Sequence, residues 1–406
     1  MAPSSFFWRS GYCLLWLMIL GGPLSCNAGS RANFNSQTTT QHVSGKAVDQ
    51  AVLVASRSVK PQPPAFVIGV WCQPVGSFAK WKARGLNTLV GYESQSNSVS
   101  IDQWSAAAAS NEMWMIRQPR SNPKQDRDQP YLLAWQQQDE PDVHNTPASS
   151  LKDLYGRLHS AQAERAVFLN VSGGNVLFNR TPRAIYQEYF AAADWIANDL
   201  YPVTGWDQPT WLSKVGQAVD ECRSLSRGKP QFAFIETSQQ RLSWTPKKTP
   251  GVTPAQLRVE IWDAVIHGVS GIIYFPDQFN PFNYDGTPTA VAAEMGTDDA
   301  LLAQVAPMLA TTDNAPNMTA TVNAPLEVAW RTSANGAAYL FVLNLSPVHQ
   351  SGASVRLAGF PVGTAHVINH ANATVNVTGN GLTDNFAGYD LHIYVIPPAS
   401  AAPARR

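Results

Sequence analysis

The chain has 406 residues, room for two domains or for one large barrel with an appendage at roughly 100–200 residues per domain. Its 29 acidic and 29 basic residues cancel, and no basic run occurs in the part expected to fold, which excludes a phosphate-tracking surface of the nucleic-acid type. Charged residues are only 14% of the chain against 10% aromatics, 13 residues being Trp, a weak bias toward neutral ligands with an apolar face, such as sugars.

Residues 1–28 read as an export signal. Arg9 precedes an apolar run from Cys13 to Leu20, too short to span a bilayer, and small residues follow at Ser25, Ala28 and Gly29. Cleavage is expected after Ala28, so the destination is periplasmic, cell-surface or extracellular. Pro23-Leu24-Ser25-Cys26 resembles a bacterial lipoprotein box except that Pro23 stands where a Leu is expected; membrane attachment would follow only from lipidation of Cys26. Beyond that point only Cys72 and Cys222 remain, and their places at opposite ends of a barrel layer argue against a bond between them. Six Asn-X-Ser/Thr sequons, at Asn170, Asn179, Asn317, Asn344, Asn372 and Asn376, matter only in a host that N-glycosylates. Residues 29–63, rich in Ser, Thr, Gln and Asn and ending in Lys60-Pro-Gln-Pro-Pro64, read as a flexible leader.

From residue 64 to about 310, β-branched or aromatic runs alternate with polar loops and helical stretches, the signature of parallel strands with crossover helices. Strands are expected at 65–71, 87–92, 113–117, 132–136, 166–171, 194–201, 231–236 and 271–275, and eight is the number that closes a barrel. Helices fit over Ser77 to Arg84, Ile101 to Asn111, Ser149 to Glu164, Thr181 to Ala191, Thr210 to Arg227, Pro254 to His267 and Asp298 to Leu309. Thr253 serves as an N-cap before Pro254 at the first helical position. The crossover at 118–131 is polar and broken by Pro, so its helix should be short or missing. A doubly wound open sheet is the structural rival, but no Gly-rich phosphate turn follows the first strand.

After about residue 311 the texture changes. LEVAWRT (326–332), AAYLFVLNLS (337–346), ASVRLAG (353–359) and DLHIYVIP (390–397) are separated by turn signals and predict a small antiparallel β-sandwich over 311–398, with 399–406 as a tail. It shows no clear aromatic row, so support of the barrel is the expected role.

In such a barrel the functional residues lie where strands end. The strand ends offer Trp71, Cys72 and Gln73; Tyr92 and Glu93; Arg117 and Gln118; Gln138, Asp139 and Glu140; Asn170; Asp199 and Tyr201; Glu236; and Tyr274 and Asp277. Of these, Glu140 and Glu236, 96 positions apart, close the fourth and seventh strands and have the layout of a paired-carboxylate site. Trp71, Glu93, Arg117, Asp139, Asn170, Tyr201 and Tyr274 are candidate ligand-binding neighbours, although any strand must end in a polar loop. Trp206 and Trp244 lie near predicted rim loops, and the loops 118–131 and 276–297 would wall a cleft. His366 and His370 have a metal-like spacing only on a helix, and GTAHVINHANATVNV reads as strand and turn, so this pair is structural. No metal site or cofactor is expected, and no GxSxG elbow, HExxH, Walker loop or CxxC is present.

Asp139-Glu140-Pro141 closing strand four and Ile235-Glu236-Thr237 closing strand seven is similar to the pattern of the clan A glycoside hydrolases, the retaining "4/7" (β/α)8 barrels, in layout from Phe66 to about Leu309. The resemblance implies Glu140 as acid/base, Glu236 as nucleophile and Tyr201 as hydrogen-bond partner of the nucleophile. It therefore implies an exported retaining glycoside hydrolase acting on a poly- or oligosaccharide. The chain departs from the pattern at Asp139, where Asn is usual, and at Tyr274 and Phe275, where Trp is usual, which leaves family and sugar open. Transglycosylation by the same pair and a non-catalytic polysaccharide-binding or assembly protein are the alternatives. For the chemistry, Glu140 must hold a proton near neutral pH, with Asp139 or Glu236 raising its pKa. Glu236 must be ionised, with Tyr201 or Arg117 keeping it charged.

Overall fold

The computed structural model describes residues 61–92, 99–239, 250–279, 281–310, 318–322 and 325–398. The expected export signal, Cys26, Glu93, Trp244 and Asn317 lie outside these residues.

Eight parallel strands form a closed barrel in sequential order: β1 Val67–Trp71, β2 Thr88–Val90, β3 Trp114–Arg117, β4 Leu132–Gln136, β5 Ala166–Ser172, β6 Trp195–Asp199, β7 Gln231–Glu236 and β8 Gly271–Phe275. Each expected strand is present. The seam closes by β1 pairing with β8, Val67 opposite Gly271. A Cβ on Gly271 would lie 2.5 Å from Val67 Cβ, so the close approach at the seam requires glycine.

The strands are nearly continuous apolar runs because both faces are covered. Val67, Val90, Ile116, Ala134, Phe168, Ala197, Phe232, Phe234 and Ile273 fill the barrel interior. Alternate residues such as Ile68, Leu89, Met115, Trp135, Ala233, Ile235 and Ile272 pack against the helices. These helices are α1 Phe78–Ala83, α2 Ile101–Ser110, α3 Ala148–Ala161, α4 Gly173–Leu177, α5 Arg183–Phe190, α6 Lys214–Leu225, α7 Pro254–Ile266 and α8 Thr289–Leu309. The start of α7 is as expected: Thr253 and Gln256 form a reciprocal capping box with Pro254 at the first position. The third crossover carries only a 3-10 turn, Pro123–Asp126.

The C-terminal part is entirely antiparallel. One sheet holds β11 Thr319–Val322, β14 Gln350–Ala358 and β17 Leu382–Phe386. The other holds β12 Leu326–Thr332, β13 Ala338–Asn344, β18 Leu391–Ile396, β15 Gly363–Val367 and β16 Thr374–Val377. Leu340, Val342, Val355, Leu357, Phe386 and Tyr394 form its core. Its outer face joins the core of the barrel through Phe341, Leu343, Leu391 and Ile393, and Phe341 stacks on Trp262 of α7 with ring centroids 6.2 Å apart. A short hairpin, β9 Gln278–Phe279 and β10 Phe282–Asn283, rises from the loop after β8. Cys72 lies in the barrel interior and Cys222 in the cluster under α5 and α6, and no disulfide joins them.

Candidate active site

The ends of β4, β5 and β6 bring together a group of acids. Glu140 follows β4 in a left-handed backbone conformation, φ 42°, fixed by its N–H donating to the Asn170 carbonyl at 3.2 Å. A non-glycine residue held there is strained by order 1 kcal/mol, a device that re-aims the chain so that consecutive acids at 139 and 140 turn toward the same region. On β5, Asn170 donates through Nδ2 to Asp139 Oδ1 at 3.0 Å and lies 3.3 Å from Asp199 Oδ2 on β6. The Glu140 carboxyl lies within close electrostatic reach of Asp199. Asp142 is tied behind them by the Ser172 N–H and the Tyr186 hydroxyl.

Electrostatics follow from this crowding. Burial and then the charges of Asp199, Asp139 and Asp142 raise the pKa of Glu140 well above the carboxylate range. Burial followed by Asp139 and Asp142 does the same to Asp199, and burial raises Asp139 to about 6. The Tyr201 phenol is pushed up by burial and then by Asp199, Glu140, Asp139 and Glu236, so its hydroxyl lies within electrostatic reach of both strand-end glutamates. Below this layer, both side-chain polar atoms of Gln136, Oδ1 of Asn170 and Oδ1 of Asp199 are buried and find no hydrogen-bond partner among the described residues. Polar atoms left open beneath a strand-end site suit water or a polyhydroxylated ligand.

Glu236 is 0% exposed. Its Oε1 accepts from the Val203 N–H at 2.7 Å, and its Oε2 accepts from the Thr204 N–H at 2.7 Å and from the Thr204 hydroxyl. Burial raises its pKa against these hydrogen bonds. Glu260, on α7 and also 0% exposed, is driven much further up, by burial and then by Glu236, so of the two it is Glu260 that favours the neutral form. Composition gave no pointer to this partner, but an acid inside the apolar helical run VEIWDAV (259–265) was a readable signal.

Two of the expected neighbours lie elsewhere. Arg117 is 0% exposed and turns away from the barrel interior, bonding Ser105 Oγ at 2.9 Å and Asp126 Oδ1 at 2.7 Å, because alternation along β3 gives the interior position to Ile116. It cannot hold the charge on Glu236. Tyr274 also faces outward, donating to Asp299 Oδ1 of α8 at 2.7 Å, so it is no floor for a sugar; its neighbour Phe275 is on the inner side and stacks on Tyr201, centroids 5.0 Å apart and planes 13° apart. Trp71 is 9% exposed and sits edge-on to Phe234 in the barrel interior, a packed position rather than an open platform. Trp206 packs on Gly174, Phe178 and Trp211. Asp139, Asn170 and Tyr201 are brought together with Glu140.

From Tyr201 an aromatic series leads outward: Phe275, then Phe279 at 6.1 Å, Phe282 at 6.2 Å and Tyr284 at 4.8 Å between successive centroids. Phe282, at the tip of the β9–β10 hairpin, is 53% exposed. The hairpin lies within the loop expected to wall the cleft.

Residues 151–310 match the model of a glycoside hydrolase family, Glyco_hydro_42, described as beta-galactosidase. No curated protein matches the sequence. Among solved structures, an alpha-amylase from Geobacillus thermoleovorans complexed with acarbose superposes with a TM-score of 0.54 at 9% identity, covering 80% of this chain and 92% of its own. A glycoside hydrolase family 5 protein from Bacteroides vulgatus gives 0.53 at 12%, covering 84% and 90%. A further structure titled "Glycoside hydrolase" gives 0.51 at 12%, covering 83% and 93%. At these identities the structures speak to the fold alone, which is that of the barrel glycoside hydrolases with a C-terminal β domain, while the family match covers the stretch from within α3 to the end of α8, which carries Glu236. Together they support a glycosidase, in line with the resemblance carried by Glu140 and Glu236.

Proposed function

We propose that the protein is an exported retaining glycoside hydrolase that cleaves a neutral or mildly charged poly- or oligosaccharide, with Glu140 as acid/base and Glu236 as nucleophile. The observation that carries this reading is the gathering of Asp139, Glu140 and Asp199 at the ends of β4 to β6, with Asn170 Nδ2 at 3.0 Å from Asp139 and 3.3 Å from Asp199, a group of acids that holds Glu140 above the carboxylate range. Glu140 donates its proton to the glycosidic oxygen as the bond breaks. Glu236 attacks the anomeric carbon, and Glu140, now a base, activates the water that hydrolyses the glycosyl ester.

Asp199 does not replace Glu236 in this scheme. Asp199 shares the Asn170 amide with Asp139 beside Glu140, so it belongs to the acid's own cluster, whereas the nucleophile of retaining chemistry stands about 5–5.5 Å from the acid. Asp199 is a positioning residue that tunes Glu140. Glu236 Oε1 accepts one backbone N–H, while Oε2 is filled by the Thr204 N–H and hydroxyl, so the 203–204 segment must yield for a sugar to reach the carboxylate. Export rests on residues 1–28, and sugar binding on the aromatic series from Tyr201 to Tyr284.

The test is product release from a panel of polysaccharides and aryl glycosides by the wild type, Glu140→Gln and Glu236→Gln. Activity lost in Glu236→Gln, and lost in Glu140→Gln except on aryl glycosides whose leaving group needs no proton, is the expected result. Glycan binding without turnover in all three proteins would replace the enzyme with a binding protein, and sugar transfer to an acceptor in preference to water would make it a transglycosylase.

A further inference from the structure

Far along the chain from the acids of the barrel mouth, two imidazoles and a carboxylate converge in the C-terminal β domain. His370 lies in the turn between β15 and β16, Asp390 just before β18, and His392 on β18. Nε2 of His392 is 3.2 Å from Asp390 Oδ2, and Nε2 of His370 is 3.5 Å from Asp390 Oδ1. One donor atom from each of the three lies within 4.8 Å of the others.

The back of His392 is also occupied. Its Nδ1 faces Asp384 Oδ2 of β17 at 3.0 Å, and the Tyr394 hydroxyl donates to the same oxygen at 2.8 Å. A carboxylate behind an imidazole fixes the proton on Nδ1 and leaves a lone pair on Nε2. That lone pair would then face a carboxylate oxygen at 3.2 Å, acceptor against acceptor, unless the ring is doubly protonated or a cation lies between them. Tetrahedral coordination at 2.0–2.1 Å places neighbouring donor atoms about 3.3–3.4 Å apart; His392 Nε2 is 3.2 Å from Asp390 Oδ2, and His370 Nε2, 3.5 Å from the other oxygen, Oδ1, would share one oxygen with it after a turn of the carboxylate. Charge closes as well, since a divalent ion is balanced by Asp390 and Asp384 with both imidazoles neutral.

We propose that His370, Asp390 and His392 form a structural site for a divalent transition metal of the zinc class, with a fourth position for water. The nitrogen and carboxylate donors suit zinc over calcium or magnesium. On binding, His370 exchanges its 3.1 Å bond to the Leu391 carbonyl for the metal. The ion would clamp the 368–373 turn to β18 and, through Asp384, tie the five-stranded sheet to the three-stranded one. It would do so where Ile368, Tyr389, Leu391 and Ile393 pack against the barrel. The other convergence of this kind, Asp263, His267 and Glu327, has Arg223 and Arg331 in its surroundings, cations that disfavour a metal there.

The experiment is zinc titration of chelator-stripped, untagged full-length protein against a chromophoric competitor, with unfolding temperature read alongside. One zinc per chain and a zinc-dependent rise in unfolding temperature are expected. Both should be lost, with affinity down at least 10-fold, in His370→Gln, whose amide still donates to Leu391 while offering no imidazole nitrogen, and kept in His267→Gln. His370 is partly exposed, so this variant should fold, and Asp390→Asn supplies a second. No uptake by the stripped wild type, uptake unchanged in His370→Gln, or loss in His267→Gln instead would overturn the assignment.

Discussion

Among charges, Asp199 at the end of β6 does most to hold Glu140, beyond the end of β4, above the carboxylate range, second only to burial. Removing the Asp199 charge takes away the first of the charges that raise Glu140. Asp199→Asn should therefore lower the pKa of the acid and move the alkaline limb of the kcat/KM profile toward lower pH by about one unit or more. A pH–rate profile of wild type and variant on one substrate checks this. An unmoved limb would mean that Asp199 does not tune the acid.

Glu236 and Glu260 differ in what they can lose. Glu260 favours the neutral form, so the neutral amide of Glu260→Gln should change stability little, by under roughly 1 kcal/mol. Glu236 accepts from Val203, Thr204 and the Thr204 hydroxyl, and in Glu236→Gln an amide N–H must face backbone N–H groups. A loss of about 1–3 kcal/mol is expected there. Urea unfolding of both variants separates the two, and equal losses would contradict the protonation assignment.

Arg117 shows where the sequence could mislead. The strand that holds it was legible from MWMIR, but its bearing depends on which residue of the pair Ile116–Arg117 faces the interior, and a register shift between Met115 and Ile116 against β4 sets that locally. For Tyr274, too, the bearing depends on which of the pair Tyr274–Phe275 faces the interior, here in regular register with both neighbouring strands. By contrast, the strand ends that carry Glu140 and Glu236 were legible because apolar runs precede them, and Thr253-Pro254 because caps are local chemistry. What could not be read was the long-range company of these residues: Glu260 reaches Glu236 from a helix, and His392 reaches His370 across a sheet.

The corrected position of Arg117 carries its own expectation. It is paired with Asp126 with both side chains fully buried, and Asp126 also accepts from Trp135 Nε1 at 2.9 Å. Arg120 also pairs with Asp126 and would remain, so Arg117→Ala should cost less than the roughly 3–5 kcal/mol of a buried charge left with no partner. KM should stay unchanged in whatever fraction remains folded, because Arg117 does not face the site. A raised KM at normal stability would restore it to the binding cleft.

Asp298 and Asp299 give the fold a pH dependence. Burial raises Asp298 to about 7 and Asp299 to about 8, although they accept from Trp262 Nε1 and the Tyr274 hydroxyl. A carboxyl raised in the folded state binds a proton that the unfolded chain has already released, so its stabilisation is complete below about pH 4 and is lost as pH rises through 7 to 8. The slope in that window is at most roughly 1.4 kcal/mol per pH unit for each group. Asp299→Asn, which still accepts from Tyr274, should flatten the upper part. Unfolding free energies from pH 5 to 9 test this, and an identical slope in the variant would count against it.

Phe282 is the outermost test of the sugar-binding reading. It is 53% exposed at the hairpin tip, continues the aromatic series from Tyr201, and contributes little to the core, so its removal should leave stability within about 0.5 kcal/mol. If the series guides a polysaccharide into the site, Phe282→Ala should raise KM several-fold for long substrates. It should leave kcat and short aryl glycosides nearly unchanged, because binding far from the reacting bond is felt equally in ground and transition states. Steady-state kinetics on a chain-length series gives the answer: equal effects on short and long substrates would place the polysaccharide elsewhere, and a fall in kcat alone would make the hairpin part of the catalytic geometry.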